Sequence, residues 1–560
     1  MNFIPNLSPG TWILLAVLWL LLLLYGILPY GIFKKLGVPG PTPLPFVGTF
    51  LGYRKGAVQF DMECNKKYGK LWGLYDGRQP VLAILDPAII KSILVKDCYT
   101  NFLNRRNFGL NGPLESALAF AEDEQWKRIR TVLSPTFTSG KLKEMFQIMK
   151  DYSNKLVRNV QVYVDKDETC AMKDMLGAYS MDVITSSSFS VNIDSLNKPN
   201  DPFVTQTKKL LKLGLFSPLL LVVVTFPFLR PILDGLNVNF FPKDFLNFYM
   251  NAVTSFKEKR QKEDHPSRVD FLQLMLDSRI EDISGLKKEQ KALTDTEIMA
   301  QAIIFIMAGF ETTSATLTYL FYNLATHPDV QQRLQEEVDS FLPDKTSPTY
   351  EILKKMEYLD MVIQETLRMY PPVGRLERVS KQTVEISGVT IPKGVVCMIP
   401  VYVLHHDSEY WPDPQEFHPE RFSKENRENH APYTFLPFGD GPRNCIGMRF
   451  AMLSMKVVIS ALLQHFTCRP CKDTLPPPFS SSHVSTLWAP SGLKVVQKKW
   501  GNSPRARSRQ GGVASLKWAW THLISSRPPQ EKKKSHFTHY GRSRWSSALQ
   551  VSCNLRHRSF

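Results

Sequence analysis

The stretch FLPFGDGPRNCIG, residues 435–447, constrains the fold most, because it puts a single thiol at the end of a stiff polar loop. A core cysteine has apolar neighbours, and a disulfide cysteine needs a partner and an oxidising compartment. The eight cysteines of the chain are scattered and form no disulfide framework. Backbone N–H groups and an arginine close to Cys445 are expected to lower its pKa, so we interpret it as a metal ligand or a nucleophile.

Three kinds of chemistry are open to this thiol. A nucleophile needs a nearby base, but the loop has no histidine, and the sequence does not place His405 or His406 beside it. Zinc needs several ligands at short spacing, and the one such cluster, in HFTCRPC (residues 465–471), lacks a fourth ligand. A thiolate on haem iron fits better, because glycines let the backbone pass under a porphyrin and aim N–H groups at the sulfur.

The N-terminus carries a membrane signal. Residues 11–28 are 18 apolar or nearly apolar residues, and no charged side chain precedes Lys34. About 20 apolar residues span a bilayer, so we interpret this segment as an uncleaved anchor. Lys34 and Lys35 then leave the body of the protein in the cytosol. The alternative is a cleaved signal peptide, which would have a basic start and a small-residue cleavage site.

Composition divides the rest of the chain. Four prolines in VPGPTPLPFVG predict a stiff spacer, and the long middle region has helical stretches with fewer strand-like runs, near 71–86 and 384–401. We therefore predict a mainly α fold with a smaller β region. The predicted domains are an anchor at 1–33, a basic and proline-rich hinge at 34–49, a catalytic domain at 50–500 and a basic, disordered tail at 501–560.

The net charge of +17 is mostly a property of the tail, which holds 12 lysines and arginines and one glutamate. We therefore expect no nucleic-acid partner for the catalytic domain. The tail itself is interpreted as an alternative or mispredicted terminus, and a patch for nucleic acid or anionic lipid is the alternative.

A long apolar helix is predicted from about residue 294, where Thr294 and Glu297 can form a capping box. Its centre reads AGFETT, where we expect Gly309 to interrupt the helix beside Glu311 and Thr312. A buried carboxylate costs several kcal/mol unless it is used or paired. Two interpretations remain open: a hydroxyl bonded to a carbonyl one turn earlier, or an acid and a hydroxyl that relay protons at a pocket.

The loop matches the pattern F-x-x-G-x-R-x-C-x-G, and AGFETT, ETLR, HPERF and WKRIR occur elsewhere in the chain. With these motifs in the right order along the chain, residues 1–500 resemble a cytochrome P-450. The wording around the motifs is similar to the vertebrate microsomal family 3, subfamily A enzymes, which oxidise drugs and steroids.

The resemblance implies one mainly α domain around haem b (iron protoporphyrin IX), with Cys445 as the axial iron ligand. The implied roles of the other residues are haem binding for Arg105, Trp126, Arg130, Arg378, Phe438 and Arg443, proton delivery to dioxygen for Glu311 and Thr312, and a structural lock for Glu365, Arg368 and Arg421.

An apolar substrate pocket is implied too, and with it a lipophilic substrate. Its residues would be Phe108, Ala119, Phe120, Phe305, Ala308, Thr312, Val373 and Gly374. The uncharged stretch 213–229 holds two prolines, so short helices dipping into a bilayer surface are favoured over a second span.

No dinucleotide-binding fingerprint occurs in the chain, so electrons must come from a partner. The resemblance implies NADPH–cytochrome reductase, in some members with cytochrome b5, and the candidate docking cations are Lys127, Arg128, Lys141 and Lys143. The expected protein is a monooxygenase of the endoplasmic reticulum membrane, with a single N-terminal span and a cytosolic catalytic domain, that hydroxylates or dealkylates steroids, drugs and xenobiotics. A haem-thiolate isomerase or dehydratase and a non-enzymatic haem sensor are the alternatives.

Overall fold

The computed structural model describes residues 8–198, 200–210, 217–262, 270–278, 292–471, 474 and 495–499. Helices dominate this part of the chain, and strands make up a smaller region, which confirms the predicted fold class. The predicted tail, residues 501–560, lies outside the described residues, so its disorder stays a prediction.

The helices and strands of the described residues are numbered in chain order. The helices are α1 (Pro9–Ile27), α2 (Ile32–Lys35), α3 (Ala57–Tyr68), α4 (Pro87–Lys91), α5 (Cys98–Asn101), α6 (Asp123–Leu133), α7 (Ser139–Asp165), α8 (Met172–Phe189), α9 (Pro202–Leu210), α10 (Pro218–Thr225), α11 (Arg230–Gly235), α12 (Lys243–Lys262), α13 (Phe271–Asp277), α14 (Asp295–Thr326), α15 (Pro328–Phe341), α16 (Tyr350–Leu353), α17 (Glu357–Met369), α18 (Val401–His405), α19 (Lys424–Arg427) and α20 (Met448–Leu463). The strands are β1 (Leu71–Asp76), β2 (Gln79–Ile84), β3 (Leu376–Val379), β4 (Val384–Ile386), β5 (Val389–Ile391), β6 (Val396–Ile399), β7 (Phe466–Pro470) and β8 (Val495–Lys499).

The main sheet has four strands in the order β1-β2-β6-β3. The β1/β2 and β6/β3 pairs are antiparallel, whereas β2 and β6 are parallel. β4 and β5 form a separate hairpin, and β7 pairs with β8. Both strand-like runs of the sequence are therefore in sheets, each divided by a turn as its composition predicted.

α1 begins at a Ser8 cap, whose hydroxyl accepts a hydrogen bond from the Thr11 amide, and its apolar side chains are mostly exposed. The helical stretch Pro9–Lys35 is long and apolar enough to cross a membrane. One other described helix passes the same test: α14, which is mostly buried in the body. In the uncharged stretch 213–229, the described residues form α10 and a single helical turn at Pro227–Leu229, which leads into α11. The chain bends by 105° between α10 and the helical segment Pro227–Gly235.

The end of the anchor packs against the body. The Arg78 guanidinium lies 3.6 Å from the centroid of the Tyr25 ring, and its Nε donates to the Tyr25 carbonyl at 3.0 Å. The Tyr25 hydroxyl donates to the carbonyl of Thr225 at 3.2 Å. Phe33, assigned to the anchor from sequence, is 4% exposed and its ring centroid lies 5.2 Å from that of Tyr75. The predicted domain boundaries stay predictions, but side chains on the anchor side of residue 34 belong to the packing of the body.

The proline-rich segment, predicted as a stiff spacer, hydrogen-bonds to the edge of the main sheet. The Gly73 amide of β1 donates to the Pro39 carbonyl at 2.8 Å, and the Thr49 amide donates to the Tyr75 carbonyl at 2.8 Å. Prolines lack an amide donor but keep a carbonyl acceptor, so the segment can lie along an edge strand and cover it.

α14 runs through the core as one continuous helix. Its capping box is present: Thr294 accepts from the Glu297 amide at 3.2 Å, and Glu297 accepts from the Thr294 amide at 2.9 Å. The expectation that Gly309 interrupts the helix is wrong. The glycine instead lets α8 approach closely, because a Cβ at this position would lie 2.7 Å from Cδ1 of Ile184.

Candidate functional site

The cysteine loop folds back on itself before α20. The Cys445 amide donates to the Phe438 carbonyl at 2.9 Å, and the Gly439 amide donates to the Leu436 carbonyl at 3.1 Å. Gly441 has a φ of 72°, and its backbone lies against the carbonyl of Leu94, where a side chain would collide. The two requirements together explain a glycine at this point of the loop.

The thiol of Cys445 has accessible surface, although protein atoms crowd it from nearly all directions. The sulfur can therefore be reached by a bound group, although protein surrounds most of it. Burial raises the pKa of Cys445, and the Gly447 amide, Arg105 and Arg130 lower it only in part. The expected lowering of its pKa is therefore wrong for the protein alone, because desolvation outweighs the nearby charges. A cation bound to the sulfur would favour the thiolate.

Two of the predicted haem-binding arginines have unused donors. Arg443 and Arg378 are almost fully buried, yet Nε and Nη1 of Arg443 and Nε of Arg378 have no hydrogen-bond partner. The Arg443 guanidinium lies 4.5 Å from the centroid of the Trp126 ring, and its Nη2 donates to the Ala121 carbonyl. Buried unpaired donors are costly, so a group that accepts hydrogen bonds fits here.

The other two arginines hold the loop. Nη2 of Arg105 donates to the Arg443 carbonyl at 3.3 Å. Arg130, one turn after Trp126 on α6, donates to the carbonyl and the side-chain oxygen of Asn444 at 3.0 and 2.8 Å. Both residues before Cys445 are therefore fixed by a cation. Asn444 was not singled out from sequence, because its partner lies 314 positions away.

The charges of this cluster fit a bound dianion. Burial lowers the pKa of Arg443 to about 9, and Arg105 and Arg378 add to the effect. Burial and Arg105 also lower the pKa of Arg378. Arginine keeps its proton in proteins, so these shifts express the cost of crowding buried cations. Two carboxylates, such as the propionates of haem, would relieve that cost and accept from the unused donors.

One stripe of α14 is open while most of the helix is buried. Ile304, Ala308 and Thr312 follow at intervals of four residues and keep accessible surface, and Ala308 is exposed. The Thr312 hydroxyl donates to the Ala308 carbonyl at 2.7 Å, as the structural interpretation of this hydroxyl predicts. The same hydroxyl stays accessible, so the structural bond and a role at a pocket are compatible.

Glu311, next to Thr312, is a buried acid with 7% of its surface exposed. Burial raises its pKa, and Lys173 of α8 and Lys208 of α9 lower it to a smaller extent. The carboxyl group therefore keeps its proton to a higher pH than an exposed glutamate, which suits an acid that passes protons on.

The three predicted lock residues lie together. Arg368 donates to both carboxylate oxygens of Glu365, at 2.7 and 2.8 Å, and both side chains are fully buried. Nε of Arg421 donates to Glu365 at 3.3 Å, and the His418 amide donates to it at 3.0 Å. The i, i+3 spacing on α17 thus becomes a buried network that also fixes the HPERF segment.

The predicted pocket residues differ in their surroundings. Phe120, Ala119, Phe108 and Val373 are partly exposed, whereas Phe305 and Gly374 are buried. The Phe305 ring packs between those of Phe137 and Phe271, with centroids 5.8 and 5.7 Å away.

Gln301 joins the segment of Ala119 to α14, although no local sequence pattern predicts this role. Its side chain accepts from the Leu118 amide and donates to the Ser116 carbonyl, both at 2.7 Å. These bonds attach the 116–120 segment to α14 at Gln301, about two helical turns before Ala308.

The candidate docking cations already have partners within the chain. Lys127 pairs with Glu124 at 2.6 Å, Lys141 with Glu144 at 2.9 Å and Lys143 with Glu351 at 2.6 Å. Arg128 donates to Glu297 of the capping box and to the Ala292 carbonyl, so it holds the start of α14 rather than facing solvent as a free cation.

Among the described residues no group of three or more metal ligands is present, which gives the zinc alternative no support.

Comparisons with known proteins place these features in one family. The family model for "Cytochrome P450" matches residues 38–496. The chain is 58% identical to cytochrome P450 3A9 of Rattus norvegicus over 499 residues, 89% of this chain and 99% of the other. It is 57% identical to cytochrome P450 3A7 of Homo sapiens and 55% identical to lithocholate 6-beta-hydroxylase of Mesocricetus auratus, each over 474 residues, 85% of this chain and 94% of the relative.

Proposed function

The chain belongs to the cytochrome P450 family, and from that premise we propose a monooxygenase that hydroxylates or dealkylates lipophilic steroids, drugs and xenobiotics at a membrane. Family membership makes the protein a haem- and O2-using monooxygenase. The observation that carries the proposal is the accessible Cys445 in the same region as buried arginines with unused donors.

Cys445 would be the residue that binds haem through its iron. Bound haem supplies the activation of dioxygen, which a thiolate ligand promotes by donating electron density. Arg378 and Arg443 would donate to the propionate oxygens with their unused N–H groups, and Arg105 and Arg130 would join them while they hold residues 443 and 444. Trp126 would keep Arg443 in place by stacking, and Phe438, half-buried in the loop, would contact the porphyrin.

Glu311 and Thr312 would move protons. Glu311 holds a proton because burial raises its pKa, and the two lysines near it connect the carboxyl group electrostatically to α8 and α9. The Thr312 hydroxyl, now donating to the Ala308 carbonyl, faces the accessible stripe of α14 and can turn to donate there. The acid would supply the proton and the hydroxyl would pass it on.

The substrate would be lipophilic, because Ile304 and Ala308 make most of the accessible stripe of α14 apolar. The proposed pocket residues Ala119, Phe120 and Val373 are apolar as well and keep accessible surface. Burial of apolar surface would then supply most of the affinity. One relative is named for the 6-beta-hydroxylation of lithocholate, which supports the steroid class.

Electrons would come from NADPH through the reductase, with cytochrome b5 as a second donor. α1 would anchor the protein in the endoplasmic reticulum membrane, and Lys34 and Lys35 favour a cytosolic catalytic domain. Docking would rely on cations other than Arg128, which is held by Glu297.

An optical spectrum tests the haem ligand. The dithionite-reduced, carbon monoxide-bound protein should show a strongly red-shifted Soret band, and Cys445→Ser should remove it. The half-buried Cys471 provides the control, since Cys471→Ser should keep the band. A red-shifted band that survives in Cys445→Ser would contradict the proposal.

Oxygen labelling separates the proposed reaction from the isomerase and dehydratase alternatives. With reductase, NADPH and lithocholate in lipid vesicles, one atom of heavy-isotope dioxygen should appear in each hydroxylated product. Product formed equally well without dioxygen would favour an isomerase or dehydratase, and no turnover of any lipophilic probe would favour a sensor.

A further inference from the structure

His405, the last residue of α18, is fully buried and its ring bonds at both nitrogens. Nδ1 lies 3.1 Å from the carbonyl oxygen of Arg368, and Nε2 lies 2.8 Å from the amide nitrogen of Leu436. The ring therefore bridges α17, which carries the lock, and the beginning of the cysteine loop. It does not lie free beside the thiol as a general base would.

The chemistry of these neighbours fixes the tautomer. The Leu436 amide can only donate, so Nε2 accepts, and Nδ1 carries the proton and donates to the Arg368 carbonyl. Burial, and then the charges of His406 and Arg368, lower the pKa of His405 well below its ordinary value. The imidazole is therefore neutral, with one donor and one acceptor, and both are used.

The bridge starts from a rigid position. Arg368 donates from Nη1 to the His405 carbonyl at 2.8 Å, so residues 368 and 405 are joined in both directions. The Phe435 ring stacks on the imidazole, with centroids 5.3 Å apart and ring planes 28° apart. The ring of His405 is thus held between the lock on one side and the loop on the other.

The loop continues this chain of hydrogen bonds to the thiol. Leu436 receives the bond from Gly439, and the carbonyl of Phe438 receives the bond from the Cys445 amide. Because each of these bonds is between backbone groups, a displacement of Leu436 is passed on to the turn that carries Cys445.

We propose that His405 is a positioning residue for Cys445: by accepting the Leu436 amide it fixes the loop 435–447 on the Glu365–Arg368 pair, and so sets where the thiol meets haem iron. This inference rests on the proposed role of Cys445 as the axial ligand. His405 touches neither haem nor substrate in this role and acts through Leu436.

Three substitutions separate the two bonds. His405→Gln keeps an acceptor near the position of Nε2, His405→Asn keeps a donor near Nδ1 but ends short of Leu436, and His405→Phe keeps a ring without either bond. His406 is the matched control, because its Nδ1 bonds to the Tyr402 carbonyl of its own short helix and its ring stacks on Tyr402.

Two measurements follow from this design. Hydrogen exchange at the Leu436 amide, measured by mass spectrometry, should accelerate about 10-fold in His405→Asn and His405→Phe, and much less in His405→Gln. On slow warming, the red-shifted band of the carbon monoxide complex should disappear in His405→Asn and His405→Phe before the helices melt by circular dichroism. In the wild-type protein, and in the variants His405→Gln and His406→Phe, the red-shifted band and the helical signal should be lost together.

Several outcomes would overturn the proposal. A purely structural role predicts that the band and the helices are lost together in every variant, or that His405→Gln behaves like His405→Phe. A wild type without a red-shifted band, in which Leu436 exchange still follows the substitutions, would show that the proposed function has failed and that His405 serves folding alone. If His405→Phe does not accumulate, His405→Asn against His405→Gln carries the same test.

Discussion

Two buried arginines, Arg368 and Arg443, are satisfied in opposite ways. All five N–H donors of Arg368 are used, by both oxygens of Glu365 and by the carbonyls of His405, Pro414 and Glu416. Arg443 leaves the donors on Nε and Nη1 without partners. A buried ion pair is tolerated when every donor is matched, so Arg368 is complete within the protein while Arg443 fits an added anion.

Replacing Arg368 with lysine should destabilise the protein severely. Lysine has three donors and cannot bind both oxygens of Glu365 side by side, so a buried carboxylate oxygen and backbone carbonyls lose their partners. We expect Arg368→Lys to lower the free energy of unfolding by about 3–5 kcal/mol in a denaturant titration. Arg449→Lys, at an exposed position of α20, should change it by less than about 0.5 kcal/mol. Equal effects of the two substitutions would contradict a special role for Arg368.

Glu311→Gln should stabilise the protein while it impairs turnover. The pKa of Glu311 is raised by burial, so the folded state holds the proton more tightly than the unfolded state, whose pKa is near 4.5. Its favourable contribution is complete below pH 4.5 and is lost as the pH rises through the folded pKa. As the pH rises above about 4.5 and through the folded pKa, the variant, which cannot ionise, should become increasingly more stable than the wild type, and the difference should then level off.

The same substitution removes the proton donor, so product formed per NADPH consumed should fall. Asp295→Asn, at the exposed start of the same helix, should leave this ratio unchanged. A variant that keeps the wild-type ratio at all pH values would exclude Glu311 from proton delivery.

Prediction from sequence worked for residues whose partners are local. Glu365 and Arg368 share a helix face, and Thr294 and Glu297 are three residues apart, so spacing alone brings them together. Gln301, His405 and Asn444 were missed because the partner of each lies in a distant segment, which leaves no local pattern. The predicted direction of the pKa shift of Cys445 was wrong for a related reason. The sequence identifies charged neighbours but not how far the thiol is desolvated.

At the scale of elements, the contact between α8 and α14 decides how the central helix passes the site. Gly309 brings the two helices together, and Ser180 donates to the Gly309 carbonyl at 2.9 Å. The length and cap of α14 were predictable from its apolar run. Its continuity was not, since a glycine beside polar residues has the same sequence signature whether it breaks a helix or admits a neighbour.

Gly309→Ala tests this packing. Alanine is the better helix former by about 1 kcal/mol, but its Cβ would press on the buried branched side chain of Ile184, so we expect a net loss of about 1–3 kcal/mol. Gly140, in the first turn of α7, has no atom within 4 Å of an added Cβ. Gly140→Ala should therefore stabilise by up to about 1 kcal/mol, and thermal unfolding of both variants would reveal the opposite signs.

Across the whole molecule, the anchor and the body share a core. Phe33 follows α1 along the chain, yet its ring packs on Tyr75 of β1. Phe33→Ala should cost about 3–5 kcal/mol in the full chain, measured by denaturant unfolding in detergent. Leu28→Ala, at a site 75% exposed, should cost far less, and a similar loss from both substitutions would contradict the burial of Phe33.

The contacts of Tyr25 with Arg78 and Thr225 affect how the protein is oriented in a lipid bilayer. A spanning helix leans more in a thin bilayer and stands straighter in a thick one. Because the C-terminal end of α1 is hydrogen-bonded to the body, a change in the tilt of α1 should reorient the body as well. Membrane thickness would then set the orientation of the α10–α11 bend relative to the lipid. Bilayers of different thickness in different organelles would therefore present the same enzyme differently to substrates dissolved in the lipid.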